Sequence, residues 1–159
     1  MKYVFQMSLS KSDIAILKAL QEGFDEGKLK LADKLGMSPT TLWRRVNELK
    51  EAGVIREQVT LLDPDKAGLP VCVFVFVNLK DYAKATRTEF ERFICSLPQV
   101  MECFSVTGAN DYTMIVRCRS VSDFEYFLME DILSHPAVEA ASSQISLRQH
   151  KYTTALPVG

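Results

Sequence analysis

The sequence lacks the features that mark membrane proteins, metalloproteins and disulfide-rich proteins. Its 159 residues contain no run approaching 18 consecutive apolar residues, which excludes a transmembrane helix. The start, Met1 to Met7, is too short and too polar for a signal peptide, so we expect a cytoplasmic protein with no membrane partner. The four cysteines lie 23, 8 and 15 residues apart, wider than the spacing of zinc or redox motifs. We interpret them as small buried hydrophobic residues and expect no metal site.

Residues suited to catalysis are also scarce. The chain has two histidines, no glycine-rich phosphate loop after a strand and no convincing nucleophile–base pair. We interpret His135, which precedes Pro136, as a helix-end residue, and His150 as a surface strand residue. That the protein is an enzyme is therefore the weakest hypothesis. We keep it only because the fold predicted below, a ferredoxin-like one, can carry active sites. We therefore expect no catalytic residues and no cofactor.

The charge is nearly balanced over the whole chain but not along it. A net charge of −1 does not by itself indicate a nucleic-acid partner. Residues 1–60 hold ten Lys or Arg against eight Asp or Glu, which gives +2, and residues 61–159 hold nine against twelve, which gives −3. The basic half comes first.

Residues 9–53 follow a helical period and predict three short helices. The first runs from Ser10 to about Gln21, with a Ser10–Asp13 capping box and a core stripe of Ile14, Ile16, Leu17 and Leu20. The second runs from Lys28 to about Leu35 and ends at Gly36. The third has Ser38 as its N-cap and Pro39 in its first position, and continues to about Ala52.

After Asp63-Pro64-Asp65 the apolar period changes to two, and strands alternate with helices. The predicted strands are Val71–Leu79, Val100–Thr107, Tyr112–Arg119 and roughly Val138–His150, the middle two joined by a Gly108–Asp111 turn. The predicted helices are Tyr82–Leu97 and a segment that begins with a Ser122–Glu125 capping box and closes at His135-Pro136. The order βαββαβ is that of a ferredoxin-like fold, with both helices on one face of an antiparallel sheet.

The first predicted strand is apolar on both faces, although the helices can cover only one. A second copy of the sheet is the simplest cover for the other face, which predicts a homodimer. The residues assigned to the dimer interface are Val71, Val73, Phe74, Val75, Phe76 and Val77. The alternative is that a segment of the same chain, such as residues 54–66, covers this face.

The second helix of a helix-turn-helix pair lies in the major groove of DNA. Here that is the third predicted helix, whose Leu42, Val46 and Leu49 should face the core. Arginine, asparagine and threonine side chains can read base edges, and a helix N-terminus can hold a phosphate. The predicted DNA-binding residues are Ser38, Pro39, Thr40, Thr41, Trp43, Arg44, Arg45 and Asn47. Two alternatives stay open: a three-helix module with another partner, and a Trp43 that packs beside the helix instead of contacting DNA.

Four segments together resemble the Lrp/AsnC family of leucine-responsive, or feast/famine, regulators. They are LSKSDIAIL from Leu9, LADKLGMSPTTLWRRVNELKEAGVI from Leu31, LLDPDKAG from Leu61 and VTGANDYTMIV from Val106. The resemblance implies an α+β protein with a winged-type helix-turn-helix domain over 1–53 and a linking strand or hinge over 54–66. Residues 67–159 would form a ferredoxin-like, RAM-type effector and oligomerisation domain.

The resemblance further implies homodimers that assemble into tetramers or octamers, bind double-stranded DNA and respond to a non-covalently bound amino acid. By matching, the effector residues are Thr107, Gly108, Ala109, Asn110, Asp111 and Tyr112, with Leu133, His135 and Ser143 as further members. Backbone amides in a turn can hold an α-carboxylate, and Asp111 can pair with an α-ammonium. Alternatively, Asp111 only forms the turn.

These observations predict a sequence-specific transcriptional regulator whose assembly or DNA affinity an amino acid modulates. The competing hypothesis is an effector-independent architectural protein that bends DNA, with weak sequence specificity and steep salt dependence.

Overall fold

The computed structural model describes residues 8–23 and 28–159, except for the side chains of residues 28 and 29. The predicted start, Met1 to Met7, and the loop 24–27 lie outside the described residues. The chain divides into two compact units. We call Met1–Thr60 with Lys151–Gly159 the helical unit, and Leu61–His150 the sheet unit. The division falls inside the predicted linking segment, but residues 151–159, predicted to belong to the second domain, group with the first unit.

The helical unit contains the three predicted helices, α1 (Lys11–Gln21), α2 (Lys28–Lys34) and α3 (Pro39–Glu51). The predicted capping box is confirmed, because Ser10 caps α1 and exchanges hydrogen bonds with Asp13. Gly36, at φ 63°, makes the turn between α2 and α3 in a conformation that favours glycine. The helix-turn-helix pair is thus α2 and α3.

Apolar residues from all three helices form the core of the helical unit: Ile16, Leu17, Ala19, Leu31, Ala32, Leu42 and Leu49. The prediction that Leu20 belongs to this core is wrong, since its side chain is exposed. The buried face shifts onto Ala19 near the end of α1. Residues 56–63 form no helix or strand within the chain, so the predicted linking strand is absent there.

The sheet unit has the predicted βαββαβ order. Its strands are β1 (Val71–Leu79), β2 (Val100–Ser105), β3 (Tyr112–Cys118) and β4 (Val138–Ile145), and α4 spans Lys84–Ser96. The helix α5 (Val121–Tyr126) continues as a π-helix over Phe127–Ile132. All neighbouring strands are antiparallel, in the order β2-β3-β1-β4. This is the predicted ferredoxin-like fold.

The predicted start of α5 is wrong by two residues. Ser120, rather than Ser122, is the N-cap and accepts a hydrogen bond from the Asp123 backbone N–H. Asp123 also forms an ion pair with the Arg119 guanidinium, at 2.8 Å, which favours a helix that begins after Ser120. Among the described residues, no helix is long and apolar enough to cross a membrane.

One face of the sheet packs against α4 and α5. Val73, Val75 and Val77 have no exposed surface on this face and pack with Phe90, Ile94 and other helix residues. The prediction that these three valines line a dimer interface is therefore wrong, because helices of the same chain already cover them. Val71 packs partly against the same core.

The opposite face of the sheet carries apolar side chains that no described helix of the sheet unit covers. Phe74, 38% exposed, and Phe104, 49% exposed, lie on this face with the half-buried Phe76 and Ile115. We call these four residues the open face. The alternative that a segment of the same chain such as residues 54–66 covers this face stays a prediction.

The prediction of four buried cysteines holds only in part. Cys118 is buried, and burial raises the pKa of its thiol to about 11. Cys72 is half-buried, and Cys95 and Cys103 are exposed. The last two lie at the end of α4 and on the edge strand β2, where less of the chain packs over them.

Candidate DNA interface and effector site

The helix α3 presents a continuous exposed stripe. Thr40, Trp43, Arg44 and Asn47 recur at helical spacing on the side away from the core residues Leu42 and Leu49. Donors, an acceptor and a methyl group therefore lie on one face, the combination needed to read base edges. Trp43 is 42% exposed, so its two predicted roles, contact with DNA and packing beside the helix, both stay open.

The N-terminus of α3 is capped and exposed. Ser38 Oγ accepts a hydrogen bond from the Thr41 backbone N–H at 3.2 Å and lies 2.8 Å from Thr41 Oγ1. Pro39 occupies the first turn, where its missing N–H costs no hydrogen bond. The remaining N–H groups of the first turn and the positive end of the helix dipole can meet a DNA phosphate.

Arg45 differs from the other predicted DNA-binding residues. Its guanidinium lies 3.8 Å from Asp13 Oδ1 and 3.4 Å from Glu48 Oε2, and only a third of the side chain is exposed. Asp13 is 2% exposed, so the pair links α1 to α3 inside the helical unit. We assign Arg45 to positioning α3 rather than to DNA contact.

Asp13 stays ionised for a local reason. The hydrogen bond from the Ser10 hydroxyl, with those from the Ser10 backbone and the charge of Arg45, lowers the pKa of the Asp13 carboxyl against the opposing effect of burial. At neutral pH the carboxylate therefore serves both as the capping-box partner and as the anchor of Arg45. The sequence indicated the capping box but not the contact across helices.

The predicted effector turn joins β2 and β3. Gly108 adopts φ 123°, a backbone conformation that side chains rarely allow. The Val106 N–H donates to the Asp111 carbonyl at 2.9 Å and closes the turn. Thr107 and Ala109 are exposed at its tip, and Asn110 and Asp111 are half-buried.

Asp111 connects this turn to the end of β1. Its Oδ2 accepts a hydrogen bond from the Leu79 N–H at 2.8 Å, and its own N–H lies 3.0 Å from the Val77 carbonyl and 3.2 Å from Asn78 Oδ1. The register of β1 and β4 shifts at the same place, between Asn78 and Leu79. Asp111 is thus a structural residue of the sheet, while Oδ1 makes no hydrogen bond with the residues that the structure describes.

Tyr112 supports the turn from inside. Its ring is buried, packs 5.0 Å from the Phe90 ring, and its hydroxyl donates to Glu91 Oε1 at 2.9 Å. Burial and the neighbouring Glu91 raise the pKa of this hydroxyl. The side chain is therefore not available for contact with an effector, contrary to the prediction.

The other predicted effector residues are only partly brought together. The His135 ring packs in a tilted arrangement 4.5 Å from the Phe93 ring and edge-to-face 5.6 Å from the Phe90 ring, which Tyr112 also contacts. Leu133, exposed, precedes it at the same end of the sheet, where β4 begins. Ser143 pairs with Val75, four positions along β1 from Leu79, and lies away from the turn in this chain.

Both parts of the chain, the helix-turn-helix segment and the sheet unit, match known protein families. Residues 9–56 match a winged helix-turn-helix DNA-binding domain, and residues 72–156 match the Lrp/AsnC ligand binding domain. The transcriptional regulator AzlB of Bacillus subtilis is 31% identical, over 94% of this chain and 96% of its own length.

Two solved structures are similar to this chain over more than nine-tenths of its length. A transcriptional regulator from Neisseria meningitidis, solved as a complex with L-methionine, is 33% identical, with a TM-score of 0.89 over 94% of this chain and 97% of its own. E. coli AsnC is 27% identical, with a TM-score of 0.84 over 92% of this chain and 97% of its own. Proteins of this kind are transcriptional regulators and not enzymes, as the sequence predicted. From the two domain matches, the shared fold and the relatives together, this chain belongs to the Lrp/AsnC family of DNA-binding transcriptional regulators.

Proposed function

We propose that this regulator works as a homodimer or a larger assembly, reads duplex DNA with the exposed stripe of α3, and responds to an amino acid bound at the turn 107–111. The observation that carries the DNA-reading role is the segregation of α3 into a buried apolar side and an exposed side with Thr40, Arg44 and Asn47. The turn and the open face support the other two parts of the proposal.

Arg44 is the strongest candidate for base contact. Its side chain is 61% exposed and is held by Glu48 one turn along the helix. An arginine fixed in this way keeps free guanidinium N–H groups for the two acceptors of a guanine. Glu48 also limits the conformations that Arg44 samples before binding.

We expect Arg44→Ala to weaken binding to the preferred duplex about 5- to 150-fold, the equivalent of about 1–3 kcal/mol for one bidentate base contact. The preferred duplex is obtained by selection from a random-sequence library, and affinity is measured by fluorescence anisotropy at several salt concentrations. Arg44→Lys should restore part of the affinity but not the preference at the affected base pair, because an ammonium group is not bidentate.

The matched control is Arg148→Ala, which removes an exposed positive charge from the sheet unit. It should leave both affinity and base preference unchanged. Equal loss in Arg44→Ala and Arg148→Ala, with no change in preference, would assign the effect of Arg44 to general charge and contradict base reading.

The proposed effector site rests on the chemistry of the turn. Asp111 Oδ1 makes no hydrogen bond with the described part of the chain, and the tip residues Thr107 to Ala109 expose backbone groups. The Asp111 carboxylate can pair with the ammonium group of a free amino acid. The backbone amides of the turn can donate hydrogen bonds to its carboxylate group. The Neisseria meningitidis relative, solved with L-methionine, supports this class of ligand.

We expect at least one of the twenty amino acids to raise the thermal unfolding temperature of the protein. A ligand at 100 times its Kd stabilises the native state by about 2.7 kcal/mol. Asp111→Asn should remove most of this shift, because its amide oxygen can still accept from Leu79 while the negative charge is lost. The same amino acid should alter DNA affinity, and DNA should alter its affinity by the same factor.

Asp65→Asn is the control for loss of one exposed carboxylate in the sheet unit. It should retain the full shift. A shift that survives in Asp111→Asn would place the effector elsewhere. If no amino acid changes the unfolding temperature, and DNA affinity is the same with and without each of them, the effector-independent architectural protein is favoured.

A further inference from the structure

Residues 155–159 lie against α1 of the helical unit, although they follow the sheet unit in sequence. We call these five residues the arm. The Leu156 N–H donates to Gln21 Oε1 at 2.6 Å, and Gln21 Nε2 donates to the Leu156 carbonyl at 3.1 Å. One side-chain amide thus satisfies both backbone groups of one arm residue, as a neighbouring strand would.

Two further contacts fix the rest of the arm. Val158 packs against the apolar core of the helical unit and is partly buried. At Gly159, an added Cβ would lie 2.7 Å from Ile14 Cγ2, so the backbone approaches α1 more closely than a larger residue allows without displacement. The Leu156 side chain, in contrast, is 69% exposed, so recognition of this residue uses its backbone.

We propose that the face of α1 formed by Ile14, Lys18 and Gln21 is a peptide-binding surface whose occupant is the arm of the same chain. The contacts are few and lie near solvent, which suits reversible docking. Docking of the arm protects the second half of α1, and its release would expose this face of the helix.

The chain supports a sharp test by hydrogen exchange. Full-length protein is compared, without DNA or amino acids, with a chain ended at Thr154 and with Gln21→Ala. We expect amide exchange in the second half of α1 to accelerate at least about fivefold in both variants, with the sheet unit unchanged. Leu156→Ala is the control, since it keeps the backbone groups that Gln21 binds, and its exchange should match that of the full-length protein.

A synthetic peptide with the sequence of residues 154–159 then separates docking from general loss of stability. Added to the shortened chain at millimolar concentration, it should restore the slow exchange of α1, but it should have no effect on Gln21→Ala. Unchanged exchange in the shortened chain would overturn the proposal. Protection that depends on protein concentration would also overturn it, because the occupant would then be the arm of a second copy. Neither result depends on the DNA or effector experiments.

Discussion

Phe74→Glu is expected to convert the assembly into monomers and to weaken binding to a duplex with two half-sites roughly 100-fold or more, because the gain from linked binding sites is lost. In a two-fold symmetric interface each substitution occurs twice, so two carboxylates would be brought together on an apolar surface. Phe74 lies on the open face, between Ile115 of β3 and Gln144 of β4, and points away from the helix-covered core. The fold of the single chain should therefore survive.

The measurement is light-scattering mass, which should fall from at least twice the chain mass to 17.9 kDa. Tyr82→Glu changes an exposed aromatic residue outside the sheet in the same way and should leave the mass unaltered. Circular dichroism checks that both variants are folded. An unchanged mass in Phe74→Glu, or a monomeric parent protein, would contradict assembly through the open face.

Leu49→Ala should unfold the helical unit at temperatures where the sheet unit remains folded, and DNA binding should be lost with it. Leu49 has no exposed surface and sits at the end of α3 in a core of few side chains. Truncation of a buried leucine costs about 2–5 kcal/mol. A unit this small rarely has more than about 3–5 kcal/mol of stability from its core, so one cavity can remove most of it.

Differential scanning calorimetry and hydrogen exchange should show the transition of the helical unit moving to lower temperature, with the protection of β1 and β3 retained. Leu147→Ala provides the matched comparison, since Leu147 is 100% exposed and its truncation creates no cavity. One cooperative transition that shifts as a whole in Leu49→Ala would show that the two units do not unfold separately.

The order of helices and strands was predictable because each element has its own period and its own start signal. Ser38-Pro39 predicted the beginning of α3, and the continuous apolar run of 71–79 predicted β1. Element ends were less predictable. The last strand was predicted to continue to His150, but β4 ends at Ile145, because the Ser146 N–H makes the final hydrogen bond with Cys72, close to the start of β1. A strand cannot extend its ladder beyond its partner.

The candidate site was predictable where it is local and not where it depends on distant partners. The exposed stripe of α3 and the existence of the Gly108–Asp111 turn followed from spacing and turn chemistry, whereas the effector role of the turn followed from the family resemblance. The ion pair of Arg45 with Asp13 and the hydrogen bond from Leu79 to Asp111 each join residues 32 positions apart. The local sequence pattern does not show that Arg45 and Asp111 have these partners. Alternation likewise placed Val75 and Phe74 on opposite faces, but only the packed helices show which face is open.

Because the arm follows the sheet unit in sequence, its contacts with α1 form late during synthesis. A ribosome releases α1, α2 and α3 first and the sheet unit next, and only then residues 155–159, which bind Gln21. Before that point the face of α1 that the arm contacts is unoccupied in the nascent helical unit. Its full set of contacts forms after the sheet unit has been made, so a chain interrupted within the sheet unit would carry an incomplete DNA-binding unit.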